Sequence, residues 1–155
     1  MERIPITKSG YDKLKKEIEH LQKVERPQNI KAIEEARAHG DLSENAEFTA
    51  AKDKQSFIEG RIGELGYKLA NADVIDLDTL SKDCVVFGCT VLLENIDNEE
   101  NVKYQLVGPY EASVEEGRIS VSSPLGRAVV GKKPGDEIKI QAPGGERRYE
   151  LVEIL

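Results

Sequence analysis

The sequence predicts an α+β chain: an N-terminal antiparallel α-helical coiled-coil hairpin followed by a small, mostly antiparallel β domain. Three observations carry this. Residues 7–75 repeat apolar side chains at alternating spacings of three and four, the period of helices packed along a seam. The two seams in that stretch mirror each other about one centre, Gly40. Residues 76–155 change to short β-rich runs separated by turn residues.

The first helix can be capped by Thr7 or Ser9 and carries Tyr11, Leu14, Ile18 and Leu21 along one face. The returning helix carries Ala51, Ile58, Ile62, Leu65, Leu69 and Ala72. Pairing Tyr11 with Leu69, Leu14 with Leu65, Ile18 with Ile62 and Leu21 with Ile58 puts the centre at residue 40 to within about half a residue. The apolar pattern therefore locates the bend without reference to the glycine found there. Pro27 falls mid-helix, where it removes a hydrogen bond and kinks the rod. Gly60, Gly63 and Gly66 each cost roughly 1 kcal/mol relative to Ala. Glu25, Gln28 and Gln55 place polar groups mid-seam, so the seam is expected to be strongest at the open end and weakest toward the bend. An arm of about 30 residues projects ~45 Å, which keeps its tip out of any domain core.

The domain boundaries read as 1–75 for the hairpin with its acidic tip and 76–155 for the second domain, joined near residues 71–83. In the second half VVFG, CTVLLENI, NVKYQLVG, RISVSS, DEIKIQA and RRYELVEIL read as strands. IDNEEN, GPYE, KKPGD and APGGE read as turns, and PLGRAVVG as a short helix or turn.

Composition narrows the function classes. The chain has 155 residues, 39% hydrophobic and 33% charged, with no Trp and a net charge of −7. That balance is too apolar for disorder and too acidic for a chain that grips duplex nucleic acid over its whole surface. The N-terminus lacks the apolar run of a signal peptide, and no stretch approaches a membrane span, so a cytoplasmic protein with no membrane partner is expected. Cys84 and Cys89 with two distant histidines do not make a four-ligand zinc site; two reduced thiols are the plain reading, with a disulfide across a short turn as its rival.

Several multi-residue motifs carry a resemblance. RPQNIKAIEEARAHGDLSENAEF, AAKDKQSFIEGRI, NADVID, FGCTV, ISVSSPLGRAVVGKKPGDE and APGGE, in this order, resemble bacterial Gre-type transcript cleavage factors over nearly the whole chain. The acidic balance is closer to the GreA branch than to the basic GreB branch. The resemblance implies a C-terminal domain of FKBP-like fold that docks on bacterial RNA polymerase. It implies a hairpin that enters the polymerase secondary channel and brings two tip acids to the active centre. Those acids match Asp41 and Glu44 within GDLSENAE. Inhibitory relatives carry an altered, more acidic tip; this chain keeps the common form.

The residues themselves allow compatible chemistry. If the second helix starts near Asp41, then Asp41 and Glu44 share a face and can hold a hard divalent cation or its water. Two carboxylates leave most of an octahedral Mg²⁺ shell unfilled, so the pair makes sense as half of a site completed by the polymerase. Weak Mg²⁺ binding by the free protein follows. The competing reading is structural: Asp41 or Ser43 caps the second helix, while Glu44 and Glu47 complement its macrodipole. Arg37, His39 and Lys52 are candidates for contact with RNA phosphate or polymerase, with solvated charge as the rival reading. Lys13, Lys15, Lys16 and Lys23 read as a solvated face, and His20 as structural.

Three functions remain in play. One is a catalytic accessory that promotes cleavage of the backtracked nascent RNA 3′ end by the polymerase without being a nuclease itself. Another is a channel-binding regulator that does not stimulate cleavage. The third is a prolyl isomerase-like module on a structural coiled coil, for which the aromatic supply is thin. The oligomeric state is open, with a monomer as the expectation.

Overall fold

A computed structural model of the chain describes residues 3–40, 45–77 and 83–155. Tyr11–Asn71 form one unit, and the chain on either side of that segment forms the other.

The first unit is the expected hairpin. Helix α1 (Lys8–His20) passes through a π-helical turn, Leu21–Glu25, into α2 (Arg26–Ala38), and α3 (Ala46–Asn71) returns. The 26 residues of α3 make a helix about 39 Å long at 1.5 Å per residue. Pro27 does not interrupt a regular α-helix as the sequence alone suggests. It stands in the first turn of α2, directly after the π-turn, whose wide bond runs from the Arg26 N–H to the Leu21 carbonyl. A first-turn position tolerates the missing N–H, and the π-turn absorbs the change in register.

Leu14, Leu21, Ile58 and Leu65 are buried along the seam, as their spacing predicts. Toward the bend the seam thins to smaller apolar groups. Ile33, Ala36 and Ala51 continue the buried stripe there, small side chains replacing large ones. A buried polar group within the seam is Asn29, only 4% exposed, whose Nδ2 donates to the Ala51 carbonyl at 3.0 Å. A satisfied amide at one seam position specifies register, because a slipped pairing leaves it buried without a partner. Two bidentate ion pairs cross between the arms: Arg61 with Glu17 at 2.7 and 3.0 Å, and Arg26 with Glu59 at 2.8 Å through both nitrogens.

The second unit holds two sheets. Strands β1 (Ile4–Thr7) and β2 (Ala72–Ile75) pair in parallel, Ile4 opposite Ala72 and Thr7 opposite Ile75. A parallel pair needs a long crossover, and the hairpin is that crossover. The helical period read through residue 75 therefore stops at Asn71; Ala72, counted in the apolar seam, is buried as the first residue of a strand. The larger sheet contains β3 (Thr90–Asn95), β4 (Asn101–Val107), β5 (Arg118–Ser120), β6 (Glu137–Ala142) and β7 (Gly145–Ile154). Its order is β5-β4-β3-β7-β6, antiparallel throughout except for the β4–β5 pair.

Period-two alternation puts Val91 and Leu93 of β3 and Tyr149 and Leu151 of β7 into one core with Leu106, Ile119 and Ile138. Helix α4 (Pro124–Val129) adds Val129, and its start is capped by Ser123 Oγ, which accepts from the Gly126 N–H at 3.0 Å. VVFG, read as a strand, is a turn. Val85 exchanges backbone hydrogen bonds with the segment after α4, donating to Lys132 and accepting from Gly131, and Gly88 takes φ +90°. The apolar character of Val85 reflects full burial in the core, not membership of the sheet. Cys84 and Cys89 are free thiols, Cys89 buried.

Candidate functional site at the hairpin bend

The bend is built from two helix ends. Helix α2 stops at Ala38, and its last carbonyls are met by tightened bonds: His39 N–H to Ala36 O and Gly40 N–H to Arg37 O, each 3.2 Å. Gly40 follows at φ +109°, a backbone conformation that side-chain-bearing residues rarely adopt, so the glycine ends the helix and starts the reversal. Asp41 and Glu44, the predicted catalytic and metal-binding acids, lie in 41–44, outside the described residues.

The described residues on the far side revise the sequence reading. Helix α3 begins at Ala46, not near Asp41. Its cap is Asn45: Oδ1 accepts from the Phe48 N–H at 3.0 Å, and the Asn45 carbonyl accepts from the Thr49 N–H at 3.1 Å. The argument that placed Asp41 and Glu44 on one face through a helix starting at Asp41 loses its premise. The competing argument, that Asp41 or Ser43 caps this helix, loses its vacancy. Sequence reasoning missed Asn45, although Asn is among the strongest capping residues and stands immediately before the helix.

Glu47 sits in the first turn of α3 and Arg37 in the last turn of α2, each at the dipole end its charge complements. The Arg37 guanidinium carbon lies 5.9 Å from the centre of the Phe48 ring, a cation–π contact across the bend. Lys52, the other predicted contact residue, projects from α3 with its Nζ on Gln55 Oε1 at 2.8 Å. Arg37, His39 and Lys52 are all exposed. Among the described residues, no group of three or more His, Cys, Asp or Glu side chains could hold a metal ion.

Among the described residues the shifted ionisations lie along the shaft. Hydrogen bonding to Lys68 and then to Arg61 holds the Glu64 carboxyl below its ordinary range. Glu17 raises Arg61 and Glu59 raises Arg26, chiefly through their hydrogen bonds. In the other unit an apolar cleft of about 390 Å³ is lined by Pro5, Ile75, Phe87, Val121, Arg127 and Val130. Phe87 is the aromatic among these described lining residues.

Comparison with known proteins covers both units. Residues 4–74 match the N-terminal domain of transcription elongation factors GreA and GreB, and residues 80–155 match the GreA/GreB C-terminal domain. The chain is 57% identical to transcription elongation factor GreA of Syntrophus aciditrophicus over 154 residues, covering 99% of this chain and 96% of that protein. It is 54% identical to the GreA of Hyphomonas neptunium over 155 residues, covering 100% and 99%. Among solved structures, the GreA factor homolog 1 protein of Thermus thermophilus is 29% identical with a TM-score of 0.45, covering 99% of each chain. With its two domains matched in order and identity above half along its length, the chain belongs to the GreA/GreB family of transcription elongation factors.

Proposed function

We propose that the chain acts on bacterial RNA polymerase, inserting its hairpin into the secondary channel and stimulating cleavage of the backtracked RNA 3′ end. The observation that carries this is the division of labour at the bend. Asn45 caps α3 and Glu47 occupies its first turn, so the capping role at the start of that helix falls to Asn45 and not to Asp41. In the sequence Asp41 and Glu44 fall between Gly40, which follows α2, and Asn45, which caps α3, a helix about 39 Å long.

Hard carboxylate oxygens suit Mg²⁺, and two of them are too few to hold it alone. In this reading Asp41 and Glu44 are the chain's share of a site whose other ligands belong to the polymerase. Mg²⁺ held there would stabilise the attacking and leaving oxygens of phosphodiester hydrolysis. Asp41 and Glu44 orient the attacking water, and the long hairpin delivers them. Arg37 and Lys52, exposed beside the bend, are the proposed contacts to RNA phosphate or polymerase. The chain is an accessory and not a nuclease, acting as a monomer in the cytoplasm where transcription proceeds. No helix among the described residues is long and apolar enough to cross a membrane.

The test is a stalled, backtracked elongation complex with Mg²⁺, with and without the protein. Release of short 3′ RNA fragments that depends on both polymerase and protein is expected. Channel occupancy without fragments would leave a regulator that does not stimulate cleavage, and cleavage without polymerase would make the chain a nuclease.

A further inference from the structure

Resting on the functional reading above, we propose that the hairpin shaft carries a hinge at the π-turn, Leu21–Glu25, and that the chain uses it to adjust the outer part of the hairpin inside the polymerase. Two independent features of the shaft coincide there. One is in the backbone. The Arg26 N–H, which an α-helix would direct to the Gln22 carbonyl, goes to the Leu21 carbonyl instead. The next residue, Pro27, has no N–H to offer. The Gln22 carbonyl receives neither bond, and the hydrogen-bond ladder of this arm is broken at that point.

The other feature is in the packing. Leu21 and Asn29 are buried, and between them only Glu25 and Arg26 are even half-buried. On α3, Ala51 and Ile58 are buried, and between them only Gln55 is half-buried. The seam therefore has two buried stretches. Leu14, Leu21, Ile58 and Leu65 make one; Asn29, Ile33, Ala36 and Ala51 make the other. Among the described residues no apolar side chain is buried between the two. Charged groups span the gap. Arg26 meets Glu59 through two nitrogens at 2.8 Å, and Glu25 lies 3.9 Å from Lys54 Nζ and 3.8 Å from His20 Nε2. Ion pairs that water reaches contribute little and re-form after a small displacement. A stretch with a broken ladder and no buried apolar contact is where local opening costs least.

A long rigid rod magnifies angular error, which gives a hinge its use. Tilting a helix of about 39 Å by one degree moves its far end by roughly 0.7 Å, more than the ~0.5 Å within which a catalytic group must be placed. A joint part-way along lets the outer stretch settle on its surroundings, while the buried seam keeps each stretch stiff. The π-turn also accounts for one residue beyond the heptad, since Leu14 and Leu21 are seven apart but Leu21 and Asn29 are eight.

The experiment stiffens the full chain in two chemically different ways. Glu25→Leu with Gln55→Leu fills the gap in the seam with apolar side chains. Deletion of Gln22 with Pro27→Ala removes the extra residue and restores the missing N–H, and it leaves Gln55, the partner of Lys52, in place. Amide hydrogen exchange on the free proteins is read first. In wild type, amides within 22–28 and 52–57 should exchange about 10-fold or more faster than those of the buried stretches on either side. Both variants should bring them within about 3-fold of those stretches. In the backtracked complex both should lower the maximal cleavage rate roughly 3- to 10-fold with the half-saturating protein concentration as in wild type, although their hairpins are the more stable. Uniform exchange along the wild-type shaft overturns the hinge, and that measurement needs no variant. Stiffened proteins that cleave at the wild-type rate, or a loss confined to one of them, overturn its use. If the wild-type protein stimulates no cleavage, the functional reading fails, and exchange alone decides whether the shaft is hinged.

Discussion

Thr7 and Glu111 lie 104 positions apart and meet through one carboxylate: Oε1 accepts from the Thr7 N–H at 2.9 Å, and Oε2 accepts from the Thr7 hydroxyl at 2.7 Å. Thr7 Oγ1 in turn accepts from the Gly10 N–H at 3.0 Å, capping α1. The same Oε1 also takes the Gly108 N–H at 3.1 Å. A side chain remote in sequence thus fastens the start of the first helix to the strand pair and the larger sheet.

This arrangement reverses the usual effect of glycine in a helix. Gly10→Ala should destabilise, although Ala is the better helix former by about 1 kcal/mol. A Cβ at residue 10 would fall on the Glu111 carboxylate, which three hydrogen bonds hold in place. Glu111→Ala should cost on the order of 2–3 kcal/mol, since it strands two backbone donors and a hydroxyl. Urea unfolding of both variants decides this, and a Gly10→Ala protein more stable than wild type would sink the account.

The shaft glycines should behave in the opposite way. A Cβ at Gly60 or Gly63 meets nothing within 4 Å, and both positions are helical. Gly60→Ala and Gly63→Ala should each stabilise by about 0.5–1 kcal/mol, mainly by restricting the unfolded chain. Thermal melts of the single and double variants check the sign and its additivity.

Asp41→Asn and Glu44→Gln keep size while removing charge. Each should reduce the single-turnover cleavage rate by roughly 10²-fold, on the scale of losing one preorganised electrostatic group, with polymerase affinity nearly unchanged. Excess Mg²⁺ should restore part of the activity. Because Asn45 caps α3, neither variant should lower helix content, and circular dichroism separates that from the rate. Near-normal cleavage by both variants would remove the acids from the chemistry.

Glu64 carries a pH signature. Its carboxyl is held below the ordinary value of 4.5, first by Lys68 and then by Arg61. A lowered folded-state pKa means the contribution is complete above the unfolded-state value and is lost as pH falls through the folded-state value. The stability difference between wild type and Glu64→Gln should therefore be constant near neutrality and shrink in acid. Exposure of the group keeps the effect small and salt-sensitive. An NMR titration midpoint for Glu64 at or above 4.5 would contradict it.

Much of the architecture follows from the sequence alone, because it rests on periodicity. The recurrence of Leu14, Leu21, Ile58 and Leu65 sets the seam, and its mirror centre locates the reversal at Gly40. Five of the six β-rich runs became the strands of the larger sheet, each short run having one face to bury. Tertiary structure decided what periodicity does not encode. VVFG has strand composition, yet Val85 is a core residue in a turn. Ala72 fits a helical repeat, yet Asn71 ends the helix because Ala72–Ile75 have a strand partner 68 positions earlier, from Ile4 opposite Ala72 onward. At the bend, Asp41, Ser43 and Asn45 are all capping residue types. The choice fell on Asn45, whose amide can also reach the Ala36 carbonyl of the preceding helix. Local pattern determines which residues want burial or a cap. Which partner meets that need depends on groups that only the folded chain brings together.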